Sequence, residues 1–145
     1  MKLLTVLLAA FLLSGVTWLG DFNAATSKAV KEDRLILINF SGSDWCGPCI
    51  RLRKEILESS AFENYAKDHL VLVRADFPRQ KKNQPDAAQI KRNEALADKY
   101  NPEGKFPFTL LVDKNGKVLK EWDGFPGESP EKFVSEITSN TDASH

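Results

Sequence analysis

The sequence predicts an α/β domain with a central mixed β-sheet flanked by helices, laid out as βαβ followed by ββα. Three observations carry the prediction. Two short apolar, β-branched runs, Leu35 to Phe40 and Leu70 to Asp76, bracket a stretch of helical periodicity. Two further strand-like runs, Pro107 to Val112 and Lys117 to Trp122, are joined by Asp113-Lys114-Asn115-Gly116, whose Asn-Gly is a strong hairpin signal. Ser129-Pro130 then supplies an N-cap and a first-turn proline for a closing helix. A strand–helix–strand order implies parallel pairing through a right-handed crossover.

In chain order, Asp21 to Glu32 places Phe22, Ala25, Ala29 and Val30 at helical spacing, giving an extra N-terminal helix. From Gly47 the pattern is helical again: Cys49, Leu52, Ile56 and Leu57 share a face, while Arg51, Lys54, Glu55 and Glu58 ring the other. Phe62, Tyr65 and Ala66 mark a second helical stretch after Ser59-Ser60. The inserted segment 78–100 begins with a basic run, Arg79, Lys81 and Lys82, and continues into a helix from Asp86 to Lys99. Its few apolar positions, Ala88, Ile90, Ala95, Leu96 and Tyr100, read as a solvated surface helix; the alternative is a docking surface. The closing helix packs Phe133, Val134 and Ile137.

A chain of 145 residues accommodates one domain with a real core. Its boundaries are read as 18–139, with a polar tail over 140–145. Lys plus Arg and Asp plus Glu both number 20, so the balance of charge points to no nucleic-acid partner. Residues 1–17 read as a leader: Lys2 gives a positive start, Leu3 to Leu13 is an apolar run of signal-peptide length, and small Ser14 and Gly15 follow. The apolar stretch continues to Leu19, which makes a retained membrane anchor the alternative. The predicted location is periplasmic or secreted, or anchored and facing the same side.

Both cysteines of the chain lie in Trp45-Cys46-Gly47-Pro48-Cys49. A structural staple usually closes a longer loop, so this spacing favours redox chemistry. The motif follows a strand and opens a helix, which puts Cys46 where free backbone N–H groups and the helix dipole favour a thiolate. Pro48 fits the first turn because no N–H is lost there. Cys49, one turn on, lies within reach of a disulfide back to Cys46. Cys46 is therefore the expected attacking thiolate and Cys49 the resolving thiol. Arg51 and Lys54 add positive charge in the first turns. A zinc site lacks ligands, since only His69 and His145 could join the two thiolates, and haem attachment would need His where Ile50 stands. No metal or organic cofactor is expected.

With these residues in view, Trp45-Cys46-Gly47-Pro48-Cys49 resembles the active-site motif of the thioredoxin family, and the order of elements is similar to that fold from about Trp18 to Thr138. The chain resembles exported bacterial members and the thioredoxin-like domain of membrane thiol:disulfide interchange proteins. The resemblance implies a cis peptide at Phe106-Pro107, with Phe106 and Pro107 binding an extended substrate, and a rim residue at Trp45. Gly47-Pro48 is similar to the thioredoxin pair, which in the family goes with reduction. Two positions depart from the pattern. Asn39 stands where the family holds a buried Asp, and it cannot ionise; the plain alternative is that it satisfies backbone groups. Phe108 replaces the Thr that usually follows the proline, which predicts a more apolar rim.

The expected activity is thiol:disulfide exchange on protein disulfides, in the reductase direction. The alternatives are an oxidase or isomerase of the same fold, or a peptide-binding, chaperone-like module with incidental redox activity. An exported reductase needs an upstream electron donor, for which the resemblance suggests a membrane thiol:disulfide interchange protein.

Overall fold

The computed structural model describes residues 15–141. Most of the leader reading and His145 fall outside that range. The elements run β1 (Trp18–Leu19), α1 (Phe22–Glu32), β2 (Leu35–Ser41), α2 (Gly47–Leu52) with a π-helical continuation (Arg53–Leu57), α3 (Ser60–His69), β3 (Leu70–Asp76), α4 (Ala87–Tyr100), β4 (Phe108–Val112), β5 (Val118–Asp123) and α5 (Pro130–Thr141). A short 3₁₀ turn covers Lys81–Asn83.

The sheet has the order β1-β3-β2-β4-β5. β1 and β2 run parallel to β3, whereas β4 is antiparallel to both β2 and β5. β2 is thus paired on both sides and buried on both faces, which is why its sequence is a continuous apolar run and not an alternating one. Alternate residues serve separate cores. Ile36, Ile38 and Phe40 face α1 and α4, packing with Ala25, Ala29, Leu96 and Tyr100. Leu37 faces the other layer, with Leu52, Ile56, Phe62, Phe133 and Ile137.

The cap predicted at Ser129 is in place, and Asp21 caps α1 in the same way. The Asp21 carboxylate accepts the Asn23 and Ala24 N–H groups, and Ser129 Oγ accepts that of Lys132. Gly116 takes φ +83° in the β4–β5 turn, and its carbonyl accepts the Tyr100 hydroxyl at 2.8 Å. The connection is a loop rather than a two-residue turn: the Asp113 carboxylate accepts the N–H of Asn115 and of Lys117, and the strand register shifts at Leu111/Val112.

Three expectations need correction. Val30 is 58% exposed, because α1 buries Ala25 and Ala29 with Phe22 packed beside them and Val30 falls outside that stripe. α4 is more than a solvated helix: Asn93, Leu96 and Tyr100 are buried, and Asn93 Nδ2 donates to the Asp76 carbonyl at 3.0 Å. Trp18 and Leu19, read as the continuation of the leader's apolar run, form the edge strand β1. Trp18 lies against Phe62 with 6.4 Å between ring centroids and under the Arg74 guanidinium at 4.1 Å, which ties it to the fold. Among the described residues, no helix is long and apolar enough to cross a membrane.

Candidate active site

β2 delivers the chain at Ser41 into a tight loop, and α2 starts five residues after Gly42. Gly42 is required there, because a β-carbon would run into the Trp45 indole. Its carbonyl accepts the Cys46 N–H at 2.9 Å, turning the chain toward the helix. Cys46 is the N-cap, in extended conformation, and Pro48 sits in the first turn as predicted. Cys46 Sγ accepts the Cys49 N–H at 3.3 Å, one of the donors that a helix start leaves free. The two sulfurs are joined in a disulfide with 5.2 Å between α-carbons. Cys49 is 3% exposed, and its Sγ accepts the Gly42 N–H at 3.4 Å; Cys46 is 5% exposed, next to exposed Gly47 and Pro48.

The Phe106-Pro107 peptide is cis. Phe106 meets Trp45 edge-on at 5.5 Å, so the proline segment and the cysteine motif share one rim. Phe77 joins them, edge-on to Phe106 at 5.5 Å. Phe108 does not contribute. It turns into the core, 4% exposed and parallel to Phe40, so the apolar rim comes from Phe77 and Phe106 instead.

Asn39 is 3% exposed on the face of β2 that carries α2. Its amide donates to Thr109 Oγ1 at 3.2 Å across the β2–β4 pair, so its partner is a side chain and not the backbone. On the same side, Leu52, Ile56, Thr109, Trp122 and Phe125 line a narrow cleft with Glu128. Burial, and then the neighbouring Glu136, push the Glu128 carboxyl above the usual carboxylate range. Arg51 is exposed, paired with Glu55 at 3.7 Å and placed over the Phe125 ring. His69 ends α3 stacked on Tyr65, and among the described residues no cluster could hold a metal ion.

Sequence reasoning missed how the segment after β3 is fastened to the loop. The Asp44 carboxylate accepts the N–H groups of Arg79 and Gln80, both at 2.9 Å, and the Asn83 amide at 3.0 Å. Those bonds, that of Arg79 first, hold its carboxyl below the usual carboxylate range. Trp45 Nε1 donates to the Phe77 carbonyl at 2.8 Å, and the Arg79 guanidinium lies 3.8 Å over the Trp45 ring. Asp76 accepts both the N–H and the hydroxyl of Ser43. These partners are more than 30 residues apart, so no local pattern announces them.

A paired Cys-x-x-Cys at the start of a helix, beside a cis-proline, on a mixed sheet of this order defines a thiol:disulfide oxidoreductase of thioredoxin-like fold. The chain belongs to the thioredoxin-like domain family, which it matches over residues 22–139. It is 36% identical over 119 residues to the disulfide bond reductase DsbH of Chlamydia pneumoniae, covering 82% of this chain and 69% of that protein. It is 35% identical over 115 residues to the thioredoxin-related protein DsbJ of the same organism, a match spanning 79% of this chain but 32% of DsbJ. A solved DsbH oxidoreductase structure superposes with a TM-score of 0.78 at 31% identity, covering 88% of this chain and 85% of that one.

Proposed function

We propose that the protein reduces disulfides of other proteins outside the cytoplasm, with Cys46 as attacking thiolate and Cys49 as resolving thiol. The observation that carries this reading is the position of Cys46 as N-cap, its sulfur accepting a helix N–H, with Cys49 bonded to it one turn deeper. Thiolate charge is stabilised at such a position, and the buried thiol waits behind it. In the reduced protein, Cys46 attacks one sulfur of the substrate disulfide and expels the other as a thiolate. Cys49 then attacks Cys46 Sγ, releasing the second substrate thiolate and leaving the Cys46–Cys49 disulfide. Two electrons pass from the protein's dithiol to the substrate.

Phe106 and Pro107, beside Trp45, supply the wall along which an extended substrate segment lies. The reductase direction rests on the Gly47-Pro48 pair and on similarity to a protein named a disulfide bond reductase. The apolar leader and the likeness to Dsb proteins support an extracytoplasmic site, cleaved or anchored, with a membrane thiol:disulfide interchange protein as electron donor. A domain beginning at Trp18 fits β1 as its first strand, while α5 runs to Thr141, two residues past the boundary expected at 139.

Trapping tests the roles. Cys49→Ser accumulates substrate proteins in mixed disulfides through Cys46, resolved as reducible bands on non-reducing gels, and Cys46→Ser captures almost none. Equal capture by the two variants contradicts the assignment.

A further inference from the structure

The segment between β3 and α4 carries Arg79, Lys81 and Lys82 and no acidic residue from Phe77 to Pro85. Basic runs are usually solvated surface, free to wander. Here the run is held in place. Asp44, immediately before Trp45, binds the backbone of Arg79 and Gln80 and the side chain of Asn83. Trp45 binds the Phe77 carbonyl and takes the Arg79 guanidinium on its ring face. The Gln84 amide donates to the Pro78 carbonyl at 2.6 Å, closing the segment on itself.

The same residues that shape the rim of Cys46 therefore hold the Arg79 guanidinium and fix the backbone turn from which Lys81 and Lys82 project. Arg79, Lys81 and Lys82 are exposed and, among the described residues, none of their charged side-chain groups forms a salt bridge. Asp44 offsets one of the three charges. Of the other cations around the motif, Arg51 pairs with Glu55, Arg53 with Glu58, and Lys105 with Glu103 and Asp123, while exposed Lys54 forms no ion pair among the described residues and stands as a single charge against the cluster of three. The field beside the site is thus lopsided toward positive on the side of residues 79–82.

We propose that this clamped basic segment, Arg79, Lys81 and Lys82, is a specificity wall that selects polypeptides with acidic residues flanking the reacting cysteine. It rests on the disulfide-exchange reading of Cys46 and Cys49 and adds the class of substrate. Charge complementarity beside a reacting centre acts mainly on encounter and alignment. A held cation loses less freedom on binding a carboxylate than a mobile one.

The test uses the reduced full chain and three synthetic peptides with the same disulfide-closed loop, flanked by Asp and Glu, by Ser and Gly, or by Lys and Arg. Each second-order rate of reduction is divided by that peptide's own rate with dithiothreitol, which removes differences in thiol reactivity. The acidic peptide is expected to react faster than the neutral one by on the order of tenfold at low salt, a gap that closes as salt screens it. The acidic-to-neutral ratio, taken within each variant, falls close to one in Arg79→Gln/Lys81→Gln/Lys82→Gln. Arg79→Lys keeps it. Lys81→Gln/Lys82→Gln, which alters side chains without partners, loses part of it and serves if the triple variant does not fold. A ratio of one or less in the unmodified chain, or an unchanged ratio in the neutralised variants, overturns the proposal. Failure to reduce even the neutral peptide would instead count against disulfide exchange itself.

Discussion

Asn39 separates this site from the pattern its motif suggests. A buried amide satisfied by Thr109 can neither take a proton from Cys49 nor give one back. The departure was legible from the sequence; its partner was not, because Thr109 lies 70 residues away and is brought opposite by strand register. Asn39→Asp is expected to add an ionisation to the pH profile of mixed-disulfide release, absent at that position in the unmodified chain. It should also cost roughly 2–4 kcal/mol in urea denaturation at neutral pH, since a buried carboxylate with one hydroxyl partner is poorly solvated. An unchanged profile would contradict this. Asp44 makes the opposite case, an exposed carboxylate tuned by N–H donors. Its depressed folded-state pKa means that its contribution is complete above the unfolded-state value and lost only as pH falls through the lower folded one. The Arg79 and Gln80 amides should therefore remain protected from exchange from about pH 5 to 8 and lose protection in Asp44→Ala. Loosening near neutral pH would contradict the assignment.

The helices formed by sequence-local signals stand close to where they were expected, and Ser129 caps the closing helix as predicted; Asp21, Ser59 and Asp86 cap the helices that follow them in the same way. What the sequence hid is how α4 is used. Its apolar residues are sparse, and Ala88 and Ala95 are exposed, so periodicity alone gave a surface helix. A polar residue does part of the docking. Asn93 accepts from Gln89 and donates to the Asp76 carbonyl at the end of β3, just where the segment bearing Arg79 begins. Asn93→Ala leaves that carbonyl unpaired and is expected to cost about 1–2 kcal/mol by urea denaturation, with faster amide exchange across residues 77–84. A neutral result would show that Leu96 and Tyr100 suffice to seat the helix.

For the molecule as a whole, the βαβ and ββα halves were readable because each strand announces itself by composition and each turn by its own residues. The sheet edge was not. Trp18 and Leu19 are apolar and continue a leader-like run, and only their pairing with Leu72 and Val73 in β3 reveals a strand. The topology places the start of α2, the cis-proline segment and the residues following β3 at one end of the sheet, so a two-cysteine motif acquires a wall, a rim and a charged flank. The reduction potential of the Cys46/Cys49 pair, measured by equilibration with glutathione or a dithiol of known potential, tests the central claim of a reductase most directly. A reductase is expected to give a value near that of thioredoxin, about −270 mV; a value near that of a strong oxidant such as DsbA, about −120 mV, would contradict that direction.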